Sequence, residues 1–593
     1  MNLDDLFIPD SPDEDSDMEE NGFFMREGRY YSMEKRGRKS AEMELSNFVM
    51  KSVFHLNNGT NNSQRIIFIQ RFSKEKHLVE VFSSEMKPES FETVLKSKRC
   101  TFYGSAYEMK RIFSNMMNNE KEADILQMIG WYPEHRVYAF GDSVYGEDNK
   151  LHGTDDLGIV DTGSQCYYLP AFGYANLKNE DYKTHRLYKF SNGKTDFKTW
   201  ADLYYTAYGN NGVIGILFTI LTIYRDIVFE QLGFFPFLFL FGDAGTGKTQ
   251  FTEKLLRLFG QDVIGTSLNN ATTPGLSRTA SWKSNSLVYL KEYTNETEEA
   301  IQDFILTAYD GAGRTIGLKT MDNRTKTYTI RSGLIFDGNH LPTQKTAILT
   351  RMILLYFEDD SFTSQQTEAF HQLKQLAEVG FGGVLLEILK LRPVLESNFR
   401  KEYLEAKQLI RSGKLDIPER MMEHLSLIYA LFETTRDYLE YPFDTDQVKR
   451  ILAENAESHH ALIRESSVIN IFWEAFAYNV SRSQIHEYNR ELGNQKTSHF
   501  RIVPQGDENV ILQIHYKELY PYYVRYCKDN GLKFLDKSSL GKLLTSDANK
   551  SFIKTEQKNR GRGYTDFTFG FCYQFSAKYS EKRLVVNETE IIV

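Results

Sequence analysis

The chain has 593 residues, 41% hydrophobic and 25% charged, a length that accommodates about three or four domains with sizeable cores. Its formal net charge is −9, yet residues 1–20 carry nine acids and no base. The rest is close to neutral, so the acidic balance does not exclude a nucleic-acid partner. The four cysteines, Cys100, Cys166, Cys527 and Cys572, lie apart without C-x-x-C spacing, which argues against a disulfide framework or zinc ribbon and for a reducing, cytoplasmic compartment.

In chain order, residues 1–21 read as an acidic disordered tail, too acidic for a secretory signal. Within it, Asn2-Leu3-Asp4-Asp5-Leu6-Phe7 resembles the Leu-Phe peptides with which bacterial replication proteins dock on a sliding clamp. Incidental apolar residues in a solvated tail are the plainer alternative. Residues 22–200 are expected to form a β-rich, mixed α/β accessory domain. Short β-branched runs (Arg65–Ile69, Leu78–Phe82, Val137–Phe140, Gln165–Leu169) alternate there with Asn/Gly/Asp turns. No carboxylate pair in this region suggests a primase or nuclease, and His152, Asp155 and Asp156 read as a turn.

Residues 201–360 alternate strand and helix, as an α/β phosphate-loop core would. The most apolar stretch, Val213–Tyr224, is shorter than the ~20 residues a bilayer needs and ends in Arg225 and Asp226. It predicts a buried helix under the nucleotide strand, with no membrane partner. An apolar run, Phe234–Phe241, then leads into Gly242-Asp243-Ala244-Gly245-Thr246-Gly247-Lys248-Thr249 and a helix at Gln250–Phe259. This is G-x-x-x-x-G-K-[ST] between strand and helix. The glycines let backbone N–H groups turn inward on a polyphosphate, and the helix offers its positive end. Lys248 supplies a point charge and Thr249 a hydroxyl for Mg²⁺, so ATP and Mg²⁺ are the expected cofactors.

Four elements follow. Ser286–Glu292 reads as a buried strand whose tip places Glu292 to polarise the attacking water, with Lys291 where a metal-holding acid is usual. Arg314–Thr320 and Thr325–Ile330 predict a β-hairpin with Lys319, Arg324 and Lys326 near its tip. It is either a solvated edge or a DNA contact. Ile335–His340 is a further strand that brings Asn339 to the edge where α/β sheets bind ligands. Arg351 stands twelve residues later, placed either to reach a neighbouring subunit's γ-phosphate or to cap an element.

From residue 361 to 497 the periodicity is helical: Gln366–Glu378, Gly382–Lys390, Phe399–Ser412 and Glu419–Tyr438. Residues 498–593 read as a winged helix. Tyr516–Asp529 is one helix, Asp536 N-caps a second that runs to about Asp547, and Phe552–Lys558 and Tyr564–Phe571 form strands around a wing. The wing carries Lys550, Lys554, Lys558, Arg560 and Arg562 against Glu556, and Arg560 and Arg562 suit phosphate or minor-groove contact.

The series of phosphate loop, strand with Glu292, basic hairpin, strand with Asn339 and then Arg351 resembles the superfamily-three helicases. These are AAA+ ATPases of small DNA viruses, phages and mobile elements. The resemblance covers about residues 201–360, and the C-terminal unit is similar to the ends of phage and poxvirus-type primase–helicases. It implies a ring-shaped homo-hexamer translocating on single-stranded or forked DNA. Lys319 and Lys326 would then line the pore, Asn339 would be the sensor, and Arg351 would complete the neighbour's site. Lys291 departs from the family pattern and leaves Mg²⁺ coordination open. Two other readings remain: a slow nucleotide-switched replication initiator that binds DNA, and an AAA+ protein remodeller or defence ATPase.

Overall fold

A computed structural model describes the chain outside residues 1–4, 37–38, 119, 261–264, 295–296, 318–324, 343–345, 359–361, 414, 416, 488–497, 506–508, 533, 547–551, 556–570, 579–582, 587–588 and 593. At its centre is a five-stranded sheet in the order Thr266–Ser267, Leu287–Tyr293, Gly333–Gly338, Phe237–Gly242, Met352–Phe357. Every pairing is parallel. Parallel strands need crossovers that cover both faces, and the apolar runs meet that demand: all six residues of Phe237–Gly242 and of Gly333–Gly338 are buried. The strand that leads to Asn339 lies between the phosphate-loop strand and the Glu292 strand. All three therefore deliver their C-terminal tips to one edge.

The predicted buried helix is present within Phe197–Ile223. By length and composition it is the one helix among the described residues able to cross a membrane, and 72% of its most apolar window is buried. It supports the phosphate loop directly. Tyr204 Oη donates to the Phe251 carbonyl at 2.6 Å, and Phe251 packs edge-on against Tyr204, Tyr208 and Phe357. Gly215 makes room for this contact, since a Cβ there would sit 2.4 Å from the Phe251 ring. Burying one such ring contributes about 1.5–3 kcal/mol. The helix is broken at Gly209, at φ 54° and ψ −133°, a conformation open essentially only to glycine.

The acidic N-terminal segment differs from the disordered tail expected of it. Glu14–Asn21 is a helix whose N-cap, Asp13, accepts from Asp15 N and Ser16 N. Ile8 is buried and its N–H donates to Gln70. Glu14 pairs with Arg26, and Asn115 binds Asn21. Local charge thus complements the cap and helix dipole, while Ile8 and the partly buried Leu6 join the core of this unit. Composition alone could not reveal those partners.

That core lies between the helices Pro88–Ser97 and Ala106–Met117 and a mixed six-stranded sheet. The strands expected at Arg65–Ile69, Leu78–Phe82 and Gln165–Leu169 appear as Gln64–Arg71, Lys76–Phe82 and Cys166–Tyr168. Asp155 accepts from Leu157 N and Ile159 N, each at 2.9 Å, as a turn residue would. A second sheet joins this region to the five-stranded parallel sheet. Lys283–Ser284, just before the Glu292 strand, pairs in parallel with Ile129–Tyr132. Arg392 reinforces the junction, reaching Asp226 at 2.9 Å and lying 3.5 Å over the Trp131 ring.

The helical region contains Ser364–Val379, Gly382–Leu389, Arg392–Ser412 and Glu419–Thr435, followed by the long helix Thr445–Ser481. That last helix bridges two cores. Asn455 donates to the Leu354 carbonyl at 2.6 Å, whereas Phe472, Trp473 and Phe476 belong to the C-terminal core. In the C-terminal unit, Tyr516–Asp529 and Lys537–Leu544 are helices, and Asp536 caps the second by accepting from Ser538 N and Ser539 N. This helix stops at Leu544, short of Asp547. The strand Phe571–Lys578 pairs with both Asn509–Ile514 and Phe552–Lys554.

Candidate active site

The phosphate loop is built as its sequence demands. Gly245 and Gly247 take φ values of 91° and 93°, which a Cβ would oppose. A Cβ at Gly242 would meet the Phe357 carbonyl oxygen at 2.1 Å, so glycine is required for the two strands to pack. The following helix, Lys248–Leu256, starts two residues earlier than expected, and Lys248 is its first residue. The Lys248 side chain, 7% exposed, donates to the carbonyls of Gly242 at 2.8 Å and Asp243 at 2.6 Å, and to Asn339 Oδ1 at 3.1 Å. Thr246 Oγ1 donates to the Asp243 carbonyl at 2.9 Å. The structure therefore brings together Lys248 and Asn339, 91 positions apart.

Glu292 stands on the same edge, at a β-bulge between Leu290 and Tyr293, with φ 64°. Its carboxylate is exposed and accepts from Ser267 Oγ at 2.6 Å, while its backbone N–H donates to Asp337 Oδ1 at 2.6 Å. A bulge re-aims a side chain, and here it presents Glu292 to the open edge. Lys291 lies 5.3 Å over the Tyr289 ring. Its ammonium lies 3.9 Å from Glu253, on the phosphate-loop helix.

Sequence reasoning passed over Asp337 and Tyr289. Asp337 is 6% exposed, and its Oδ2 accepts from Tyr289 Oη. Burial first, then the Asp337 carboxylate, pushes the Tyr289 hydroxyl far above its ordinary range, and the Thr249 hydroxyl lies beside it. The only signal in the sequence was an acid closing an apolar strand two residues before Asn339. A cavity of about 770 Å³ also went unread. It opens beside Gly245–Gly247 and is walled by Tyr208, Asn211, Tyr356, Phe362, Phe370 and His371. Asn211 ties its wall by donating to the Tyr356 carbonyl at 2.7 Å.

Arg351 sits at the opposite end of the sheet. Its carbonyl accepts from Phe237 N at 3.1 Å, at the start of the strand whose far end is Gly242. Five strand steps of about 3.3 Å separate the two ends, a gap of about 16 Å that an arginine cannot bridge to its own loop. Its guanidinium donates to the Ala347 carbonyl at 2.8 Å and lies 5.5 Å over the Tyr309 ring, as does Arg420. Tyr309 Oη in turn meets His424 Nε2 at 2.9 Å. Burial drives the His424 imidazole down to about 3, so it is neutral.

The hairpin is present as Thr315–Gly317 paired with Thr325–Thr327, with Ile316 opposite Lys326. Lys319 and Arg324, expected at its tip, and Arg560 and Arg562, expected on a wing, lie outside the described residues. Among the described residues no group of three His, Cys, Asp or Glu side chains could hold a metal ion. A nucleotide-bound Mg²⁺ needs none, because phosphates and waters fill most of its octahedron. A glycine cradle, a buried lysine, a helix start and the Thr249 hydroxyl suit a nucleoside triphosphate with Mg²⁺.

No family model and no curated protein matches the chain. Among solved structures it is similar to the active helicase Cch of SCCmec type IV, with a TM-score of 0.50 and 13% identity over 94% of this chain and 98% of that one. Much weaker likenesses are the C-terminal region of NrS-1 (TM-score 0.23, 10% identity, 66% and 90% covered) and JCV helicase (0.22, 15%, 39% and 63%). The chain thus has a mixed α/β fold with a parallel phosphate-loop sheet, of a kind solved in a helicase, and it shares that fold along nearly its whole length.

Proposed function

We propose that the protein is an ATP-dependent DNA helicase that replicates a phage, plasmid or other mobile element, acting in the cytoplasm as a homo-hexameric ring. The observation that carries this reading is the contact between Lys248 and Asn339 at the sheet edge that also presents Glu292. Phosphates would lie on Gly245, Gly247 and Lys248, with the base in the aromatic cavity beside them. Bound Mg²⁺ would supply charge neutralisation at the phosphates, with Thr249 as its protein oxygen. Asn339 would orient the γ-phosphate, and Glu292 would take a proton from the attacking water. Arg351, too far from its own loop, would serve the neighbouring subunit, which is why a ring is part of the proposal.

For DNA, the reading rests on the hairpin pairing and on the C-terminal topology. A winged helix is proposed for this unit, supported by the two helices Tyr516–Asp529 and Lys537–Leu544 followed by Phe552–Lys554 and Phe571–Lys578, within a sheet that also takes in Ser498–Gln505, Arg583–Val586 and Thr589–Ile592. Lys319, Arg324 and Lys326 would grip the DNA backbone in the pore, and Arg560 and Arg562 would recruit it. Sliding-clamp docking through Leu6 and Phe7 keeps only its exposed member, because Phe7 is 64% exposed while Leu6 packs on the domain core.

Strand displacement on a forked duplex with ATP is the test. Unwinding supports the reading; DNA-stimulated hydrolysis without unwinding favours the slow initiator. Neither stimulation nor unwinding favours a protein remodeller or defence ATPase. The initiator reading has one observation of its own, Lys291 engaged with Glu253 in place of an acid at the metal edge.

A further inference from the structure

Leu290 pairs with Phe336 and Tyr293 with Gly338, so Asp337, one strand nearer the phosphate loop, faces the bulge formed by Lys291 and Glu292. Asp337 thus supplies a carboxylate across from the bulge where residue 291 offers none. It is a buried acid with two donors converging on it. Glu292 N fixes one oxygen at 2.6 Å, and the Tyr289 hydroxyl fixes the other. The Thr249 hydroxyl lies near the Tyr289 hydroxyl. The same carboxylate thus holds the backbone of Glu292 in its left-handed bulge and fixes the Tyr289 hydroxyl.

We propose that Asp337 is the positioning acid of the Mg²⁺–nucleotide site, replacing the carboxylate lost at Lys291 and acting through Tyr289 on Thr249 and through the backbone on Glu292. The inference rests on the nucleotide site proposed above. The compensation is electrostatic as well as geometric. Lys291 pairs with Glu253 at 3.9 Å, and the negative charge that a divalent cation favours comes from Asp337 on the neighbouring strand. Outer carboxylates of this kind commonly set metal affinity by about 10–100-fold.

Calorimetric titration of the full chain with ATP, in Mg²⁺ and separately in EDTA, is the experiment. Asp337→Asn preserves the hydrogen-bond geometry, because the amide oxygen still accepts from Glu292 N and its NH₂ can donate to the Tyr289 oxygen. The tightening that Mg²⁺ confers should fall by about 10–100-fold, while affinity in EDTA is unchanged. Tyr289→Phe, which severs the link to Thr249 and keeps the acid, should move the same quantity by less. Adding Lys291→Asp to Asp337→Asn should restore the Mg²⁺ effect. Full Mg²⁺ tightening in both Asp337→Asn and Tyr289→Phe would overturn the proposal, as would an equal loss in EDTA, which marks a merely structural residue. Wild-type protein that binds no ATP in either buffer would instead refute the nucleotide site itself.

Discussion

Replacing Lys248 with Ala removes the one cation that the phosphate loop holds by its own carbonyls. A unit charge about 4 Å from a phosphate charge, at the effective dielectric constant of about 20 that suits partly buried sites, is worth about 4 kcal/mol. That corresponds to about 1,000-fold in affinity. The effect on the unliganded fold is much smaller. Gly242 O, Asp243 O and Asn339 Oδ1 lose a charged donor, but Asp243–Gly245 are exposed, so water reaches the loop and the cost falls to about 1 kcal/mol. The variant should melt close to wild type, lose ATP binding by about three orders of magnitude in calorimetry, and neither hydrolyse ATP nor unwind a fork. An affinity loss below about tenfold, or ~1.4 kcal/mol, would refute the assignment of Lys248 to the phosphates. Unchanged turnover would end the ATPase reading altogether.

Because Arg351 and Gly242 occupy opposite ends of the sheet, Glu292→Ala and Arg351→Ala should each be inactive alone yet regain ATPase activity when mixed. No rescue in demonstrably mixed oligomers would make Arg351 structural, a support for Tyr309. Lys319→Ala with Lys326→Ala should cripple unwinding and flatten the salt dependence of DNA binding while basal hydrolysis survives; normal unwinding by preloaded protein would move DNA away from the hairpin. Stability should fall below about pH 6.5. His424 and His459 are held near 3 by burial, so the unfolded chain binds protons that the folded chain refuses, at about 2 kcal/mol per histidine by pH 5. Replacing both with Gln should flatten the decline in melting temperature from pH 7 to pH 5, and an unaltered slope would place the acid sensitivity elsewhere.

What the sequence by itself determined was whatever short-range chemistry dictates. Positive φ at Gly245 and Gly247, the cap at Asp536, the buried helix around Val213–Tyr224 and the hairpin before Thr327 each follow from residues within one element. Their boundaries shifted by only a few residues, because end turns depend on packing. Tertiary structure decided the rest. Asp337 became a candidate only when strand order set it opposite the Lys291–Glu292 bulge and within reach of the Tyr289 hydroxyl, since an acid at a strand tip has no distinctive local pattern. The acidic N-terminal segment became ordered because Gln70, Arg26 and Asn115 offer partners up to 94 positions away. Glu292 and Arg351 parted for the same reason. Parallel pairing sends one to each end of the sheet, and no spacing in a linear chain encodes which end a residue will occupy.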